Sequence, residues 1–519
     1  MSGDFTASFA RVPDLLSQHI QLSFAALALA LLIALPLAVW AARSPAVARI
    51  ALGFASLVQT IPALALLALF YPLLLALTTL LGDWIEPLGF LPSLLALTLY
   101  ALLPILRNAV TGLVGVDPAL VEAADGMGMT AWQKLRLVEA PLAAPTIMAG
   151  IRTAAVWTIG AATLSTTVGQ PSLGDLIFAG LQTQNWTLVL AGCLSSAALA
   201  ISVDALLGLI ENGIAARKRL RIGIAASLLA AGLIASLWPQ PTETREVVTV
   251  GAKRFTEQYI LARVIGARLE KAGYAVHYRE GLGSAVVFQA LANGDVDIYV
   301  DYAGTIWTNE MDRSDRLARP DMLAAIGKWA HDTHGINLVG PLGFENTYAF
   351  AVRGDDARRL GLETLNDLAR VSPDFVFGTD LEFLERPEWR SVKQAYPMAF
   401  KAERAFEPTF MYRALASGQA DVISAFSSDG RIAAYGFTVL DDPKGAVPSY
   451  DAIMMVSPAH ARDSRFIDAI APLENAISVE RMREANYRVD REKDKRSAAD
   501  AARWLDRMIG DDKTQDDAE

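Results

Sequence analysis

The sequence is nearly devoid of cysteine. Cys193 stands alone in 519 residues, which excludes an intrachain disulfide framework and any cysteine-cluster metal site. Cys193 lies inside an apolar run, so the C-terminal half has none and can fold outside the cell without oxidative chemistry. No G-x-x-x-x-G-K-[ST] loop occurs, so the chain does not itself bind ATP through a P-loop. It carries 46 Lys and Arg against 56 Asp and Glu and has no basic tail, a balance that argues against nucleic acid as a partner. Charge is also scarce in the first half. Residues 1–238 hold 11 basic and 11 acidic side chains, and residues 239–519 hold the other 35 and 45. The net charge of −10 therefore sits wholly in the second half. With 53% apolar residues and a mean hydropathy of +0.30, the chain is too apolar for one soluble globule: one half suits lipid and the other water.

A bilayer-spanning helix needs about 20 apolar residues. The first half supplies about six such runs, at 20–42, 50–81, 90–106, 143–168, 186–210 and 222–238. Pro62 and Pro72 interrupt the second, which reads as a tilted helix plus a kinked or re-entrant piece. Basic residues of short loops mark the cytoplasmic side. Arg43 and Arg49, then Arg107, Lys134 and Arg136, then Arg217, Lys218, Arg219 and Arg221 fall in alternate loops, with Asp83, Glu86 and Asp175 in the others. This puts the N-terminus and everything after Trp238 outside. Arg217–Arg221 followed by Ile222–Trp238 has the layout of a signal peptide, but its end, Ser-Leu-Trp-Pro, lacks a small-residue cleavage pattern. An uncleaved anchor is expected, with Pro239, Pro241 and Thr242 as a linker. The expected division is a membrane domain over 1–215, anchor and linker over 216–245, and a water-facing domain over 246–519.

From Val247 the pattern alternates strands and helices: strands at 247–251, 275–278 and 297–300, helices at 257–272 and 284–293, then strands at 348–352, 375–378, 421–425 and 437–440. Runs of this kind imply mainly parallel, doubly wound sheets with ligands at the carboxyl ends of strands. About 270 residues exceed what one sheet needs, so two α/β lobes with a cleft between them are expected.

The segment between the third and fourth runs reads Glu122-Ala123-Ala124-Asp125-Gly126-Met127-Gly128, then nine residues, then Val138-Glu139-Ala140-Pro141. It resembles the E-A-A-x-x-x-G-(x)9-I-x-L-P loop of permease subunits of ATP-binding cassette importers. Glu122, Ala123, Ala124, Gly128 and Pro141 match, Val138 replaces Ile, and Ala140 departs from Leu. The resemblance implies the importer permease fold, with a cytoplasmic coupling loop at 117–141 that docks on a separate ATPase subunit. Small residues suit close approach of a partner, and Gly128 permits a sharp turn.

The second half resembles the binding proteins of osmoprotectant (glycine betaine and choline) importers, in blocks at 251–258, 297–305, 342–349, 381–386, 421–431 and 448–451. It implies a two-lobed periplasmic-binding-protein fold of type II. A quaternary ammonium has no N–H to donate, so aromatic faces select it through cation–π attraction. Tyr302, Tyr348, Phe426 and Tyr450 fall at strand ends and match the family's aromatic box, with Phe426 where Tyr is usual. Each taken singly is more simply core packing; four on four matching blocks favour the box. Asn346, Thr305 and Gln258 match polar ligand-binding positions, and Arg386 and Glu382 match a region of the second lobe that closes over the ligand. A phosphate or amino-acid binder would show more basic residues here.

The resemblance implies a fused permease and binding protein importing glycine betaine, choline or a similar compound. Its partners would be two copies of an ATPase subunit, a second copy of itself through the permease, and membrane lipid, in the plasma (inner) membrane. No catalysis, cofactor or metal is expected. Carnitine, ergothioneine or an amino acid are alternative cargoes, and a ligand-gated channel is the alternative of another class. His331 and His334 read as solvated surface residues, Gly281-Leu282-Gly283-Ser284 as a turn with a Ser N-cap, and the acidic tail 511–519 as disordered. Arg152 and Asp204, in or near spans, have no assigned role.

Overall fold

The computed structural model describes residues 9, 11–81, 87–183, 185–238, 245–313, 315, 317–447, 450–491 and 493–516. Asp83, Glu86, Pro239, Pro241, Thr242, Pro448 and Ser449 lie outside them. The chain divides into two compact units: Met1–Gly180 with Asn185–Thr242, and Leu181–Gln184 with Glu243–Glu519.

In the first unit, among the described residues, five helices are long and apolar enough to cross a membrane: Val12–Arg43, Phe90–Val114, Ala131–Val168, Trp186–Ala215 and Arg219–Ser236. The pair Pro45–Thr60 and Ala63–Leu77, bent by 102°, makes up to a sixth. The break falls at Ile61 and Pro62, whereas Pro72 lies inside the helix Ala63–Leu81 and does not interrupt it. Ala26, Ala30, Ala34 and Ala38 recur every fourth residue and are fully buried. This small-residue stripe lets the first helix lie close to Phe90–Val114, because without bulky side chains the backbones approach. Gly150 serves the same purpose: a Cβ there would lie 2.6 Å from Asn108 Cβ. An ion pair joins Arg43 to buried Glu139, so the first basic loop and the 117–141 segment share one end of the bundle. At the other end Gly89 N donates to Val168 O at 2.8 Å.

Among its described residues the second unit contains ten strands, β1 (Val247–Lys253), β2 (Ala275–Leu282), β3 (Ile298–Tyr302), β4 (Asn337–Glu345), β5 (Tyr348–Arg353), β6 (Val376–Thr379), β7 (Ala402–Ala405), β8 (Val422–Phe426), β9 (Phe437–Leu440) and β10 (Asp451–Val456). They form two five-stranded sheets, ordered β2-β1-β3-β10-β4 and β7-β6-β8-β5-β9. Two lobes are present as expected, but the sheets are mixed. β10 runs antiparallel to β3 and β4, and β5 antiparallel to β8 and β9. Both are strands by which the chain enters a lobe after crossing from the other, at Asn346–Thr347 and ahead of Asp451. The two crossings meet: Asn346 N donates to Tyr450 O at 3.0 Å.

Three smaller expectations change. His334 packs edge-on to Phe288 and Trp329, with ring centroids 5.2 and 5.1 Å away, and burial lowers its pKa. The helix Ser284–Ala292 takes Gly283, not Ser284, as its N-cap. The helix Ala498–Asp516 runs on into the acidic tail, since Ala501, Ala502, Leu505 and Ile509 bury its inner face and helix already formed extends readily.

Candidate functional site

β3 is buried along its whole length and delivers Tyr302 to the edge of the cleft. β5 starts with Tyr348, β8 ends with Phe426, and Tyr450 immediately precedes β10. These four rings, from both lobes and the crossing, form one chain through a fifth, Phe255. Phe255 stacks on Tyr302 at 6.0 Å and on Phe426 at 6.1 Å with 5° between planes. Phe426 meets Tyr348 at 5.1 Å, and Tyr348 stands perpendicular to Tyr450 at 6.0 Å. Tyr450 lies flat against Gly304, where a Cβ would sit 2.5 Å from the ring. Only glycine leaves that space.

The polar residues divide by role. Gln258 is committed within its own lobe: Nε2 donates to Val300 O and to the Tyr302 hydroxyl, both at 3.0 Å, so it orients the Tyr302 ring. Thr305 is buried on the short helix that follows Tyr302. Asn346 donates from Nδ2 to Glu257 at 3.1 Å, while its Oδ1 is buried with no hydrogen-bond partner among the described residues.

Glu257, next to Gln258, is the residue the sequence reading passed over. Its carboxylate accepts from Tyr302 Oη at 2.6 Å, Ser428 Oγ at 2.5 Å, Asn346 Nδ2 at 3.1 Å and Asn486 Nδ2 at 3.1 Å. These donors come from one lobe, the other lobe, the crossing and the C-terminal helix Val479–Asp490, so one carboxylate ties the closed cleft together. Burial pushes its pKa up, and the four hydrogen bonds pull it down. Four donors around two oxygens suit the ionised form, which only accepts. A small cavity opens beside it, lined by Phe255, Phe426, Asn346, Ser428 and Asn486.

At the other end of the ring chain, buried Arg386 stands over the Tyr348 face, 5.3 Å from its centroid. It donates to Glu382 at 2.5 Å and to Tyr450 Oη at 3.4 Å, and Tyr450 donates to buried Glu388. Burial opposes the guanidinium's charge, but Tyr348, Tyr450, Glu382 and Glu388 outweigh it and raise its pKa. Its Nε has no partner among the described residues, nor does Glu388 Oε2. A second buried cation, Lys253, lies 5.4 Å from the Tyr302 ring but is paired with Asp301. Each of the two buried cations thus has a carboxylate partner.

Several buried or half-buried acids share a direction of shift. Burial raises Glu310 to about 7, with Asp301 adding to it and Lys253 opposing it. Burial likewise raises Glu257, Asp297 and Asp490. An acid whose folded pKa exceeds its unfolded value binds more protons in the folded state, so stability falls as pH rises between the two values. For Glu310 that window runs from 4.5 to about 7. The 246–519 fragment should therefore melt higher at pH 5 than at pH 8 by calorimetry, and Glu310→Gln should reduce the difference. A higher melting temperature at pH 8 would contradict this.

The 117–141 segment folds as two short helices around a sharp turn. Asp117 caps the helix Pro118–Gly126 by accepting from Ala119 N, Gly128 takes φ +75°, and a Thr130 capping box starts Ala131–Lys134. Lys134 Nζ clamps the turn by pairing with Asp125 at 2.7 Å. Ala124 is buried, while Glu122, Ala123, Gly128 and Pro141 are exposed. Leu120, Met127 and Trp132 are also exposed, an apolar patch beyond the motif itself.

A polytopic helical unit joined to a two-lobed cleft defines the class as a membrane permease carrying its own binding domain. Residues 34–216 match the family model of the binding-protein-dependent transport system inner membrane component, and residues 246–507 match that of the substrate binding domain of ABC-type glycine betaine transport systems. The chain is 30% identical over 448 residues to the ergothioneine transport permease/ergothioneine binding protein of Helicobacter pylori (strain G27), covering 83% of this chain and 78% of that protein. It is 42% identical over 195 residues to the glycine betaine/carnitine/choline transport system permease protein of Bacillus subtilis (strain 168), covering 38% of this chain and 84% of that one. The solved structure of a glycine betaine/carnitine/choline ABC transporter aligns with 28% identity and a TM-score of 0.45, over 50% of this chain and 99% of that one. The chain belongs to this family of osmoprotectant-type ABC importers with permease and binding domain fused. It is an inner-membrane transport protein that works with an ATPase, which sets aside the gated-channel alternative.

Proposed function

We propose that the chain imports a trimethylammonium compound bearing a carboxylate, a betaine in the broad sense. The arrangement of charge along the ring chain carries this reading. Glu257 lies beside Tyr302 and Phe255 at one end, and Arg386, with its Nε unpartnered, stands over Tyr348 beside Tyr450 at the other. A zwitterion complements both ends, its ammonium among the rings and its carboxylate toward Arg386. Choline offers the guanidinium only a neutral hydroxyl, without a carboxylate's charge. Glycine betaine, carnitine and ergothioneine share the required groups, and the Helicobacter relative named for ergothioneine transport supports this class.

In this reading the binding unit faces outward, closes on its ligand and delivers it to a permease formed by two copies of the chain. Two ATPase subunits engage Glu122, Ala123, Ala124, Gly128 and Pro141, with Met127 and Trp132 adding apolar contact. Tethering replaces diffusive encounter with a high effective concentration of receptor. Calorimetric titration of the 246–519 fragment with glycine betaine, carnitine, ergothioneine and choline tests the cargo. At least one carboxylated ligand should bind about tenfold or more tighter than choline, since a charge-assisted hydrogen bond contributes about 1.5–3 kcal/mol. Tightest binding of choline would overturn the assignment.

A further inference from the structure

Arg152, on the helix Ala140–Ala162, donates from Nε and Nη2 to Asp204 at 3.0 and 2.9 Å and from Nη1 to Glu211 at 2.7 Å, both on Trp186–Ala215. Gly208, between the two acids, makes room for the guanidinium: a Cβ there would lie 3.3 Å from Arg152 Cζ. At 1.5 Å per residue, Arg152 stands about 18 Å from the start of its helix and Asp204 about 16 Å from the end of its own, near mid-depth of a hydrocarbon core about 30 Å thick. The side chains of Arg152, Asp204 and Glu211 nonetheless keep 32%, 38% and 24% of their surface uncovered. Arg152 and Asp204, charges left about a third uncovered at that depth, do not face lipid; they face protein or water.

Two further observations separate protein from water. One arginine between two carboxylates leaves a formal charge of −1, so two copies of this face pressed together in a low-dielectric interior would repel. The same face also carries small residues over its next three turns. Cys193, Ala197 and Ala200 precede Asp204 by eleven, seven and four residues, lie on its side of the helix, and are exposed or half-exposed. Exposed Ile201, three residues before Asp204, borders this face, whereas exposed Leu209 lies toward the far side of the helix.

We propose that Cys193, Ala197, Ala200 and the Arg152–Asp204–Glu211 triad line the water-filled translocation path, and that the residual negative charge of the triad serves as a way-station for the cationic head of the cargo. The assignment of cationic cargo rests on the function proposed above. The path assignment is testable without any cargo.

The test uses the full-length chain with its ATPase in vesicles, in a Cys193→Ser background, with single cysteines at Ala200→Cys and, as a control at nearly the same depth on the far side of the helix, at exposed Ala198→Cys. Cationic trimethylammonium-ethyl and anionic sulfonatoethyl methanethiosulfonates are supplied on both sides of the membrane, with and without ATP. Rates are normalised to a free thiol in solution. Ala200→Cys should react well above Ala198→Cys and prefer the cationic reagent about tenfold, the lower range of electrostatic focusing in a lined cleft. Glu211→Gln should bring that preference toward unity, and Arg152→Gln should raise it; a merely structural ion pair would not move it in opposite directions. Equal labelling at 200 and 198, or no charge preference at 200, would overturn the proposal, and both are read in the otherwise native chain should a triad variant fail to assemble. Calorimetry on the 246–519 fragment involves no membrane, so failure of the path and failure of the cargo reading remain distinct.

Discussion

Tyr302→Ala and Tyr450→Ala should each weaken ligand binding to the 246–519 fragment by about thirtyfold or more. A desolvated cation–π contact contributes about 2 kcal/mol, and each 1.4 kcal/mol is a factor of about ten in affinity. Tyr302 adds a second loss, because its hydroxyl donates to Glu257 at 2.6 Å, and removing it strips one donor from the carboxylate that ties the lobes. Tyr450 likewise holds both Glu388 and Arg386, so its loss loosens the anionic end. Phe426→Tyr keeps the ring face and should change affinity far less. Unchanged affinity in both alanine variants would sink the aromatic box.

Arg386→Gln should separate ligands by their chemistry. The guanidinium is buried against Tyr348, and losing a charge-assisted hydrogen bond there costs about 1.5–3 kcal/mol. Carboxylated ligands should lose about 10- to 100-fold in affinity, choline much less. Removing one partner of a buried ion pair also destabilises the fold, because the remaining charge is left uncompensated. Glu388 lies 3.7 Å from Arg386, so Arg386→Gln with Glu388→Gln should recover stability without recovering the carboxylate preference. An equal loss for choline and for betaines would show that Arg386 only packs the site.

What was legible in the sequence follows from physical signals that do not depend on neighbours. Apolar runs and basic loops marked the spans, and even the break at Pro62 showed, because proline cannot donate the helical hydrogen bond. β10 was invisible as a strand, since Asp451–Val456 is buried at every position and shows no alternation. Gly340, Pro341 and Gly343 disguised β4, where proline is tolerated because the strand lies at a sheet edge. Without β10 the first sheet looked parallel, and β5, though visible as a strand, bears no local sign of the crossing that reverses it against β8 and β9. At the site, the four expected rings do lie together, as matched blocks at strand ends suggested. Phe255 and Glu257 sat inside a matched block, Gly251–Gln258, yet drew no notice, since an acid beside a helix start reads as a helix-dipole residue. Asn486 carried no signal at all: it reaches Glu257 across 229 positions of sequence, a contact only tertiary packing creates. Arg152 and Asp204 were visible as charges in apolar helices, but their pairing required the helices to be packed.

The central claim is that one polypeptide both captures a betaine-class ligand and passes it through the membrane at the expense of ATP. Vesicles reconstituted with the full-length chain and its ATPase, loaded with ATP and offered radiolabelled glycine betaine, carnitine or ergothioneine, test it most directly. The account predicts ATP-dependent accumulation of the ligand that calorimetry ranks tightest, abolished by Tyr450→Ala in the same chain. Absence of ATP-dependent accumulation of any of the three, with ligand binding intact, would contradict it.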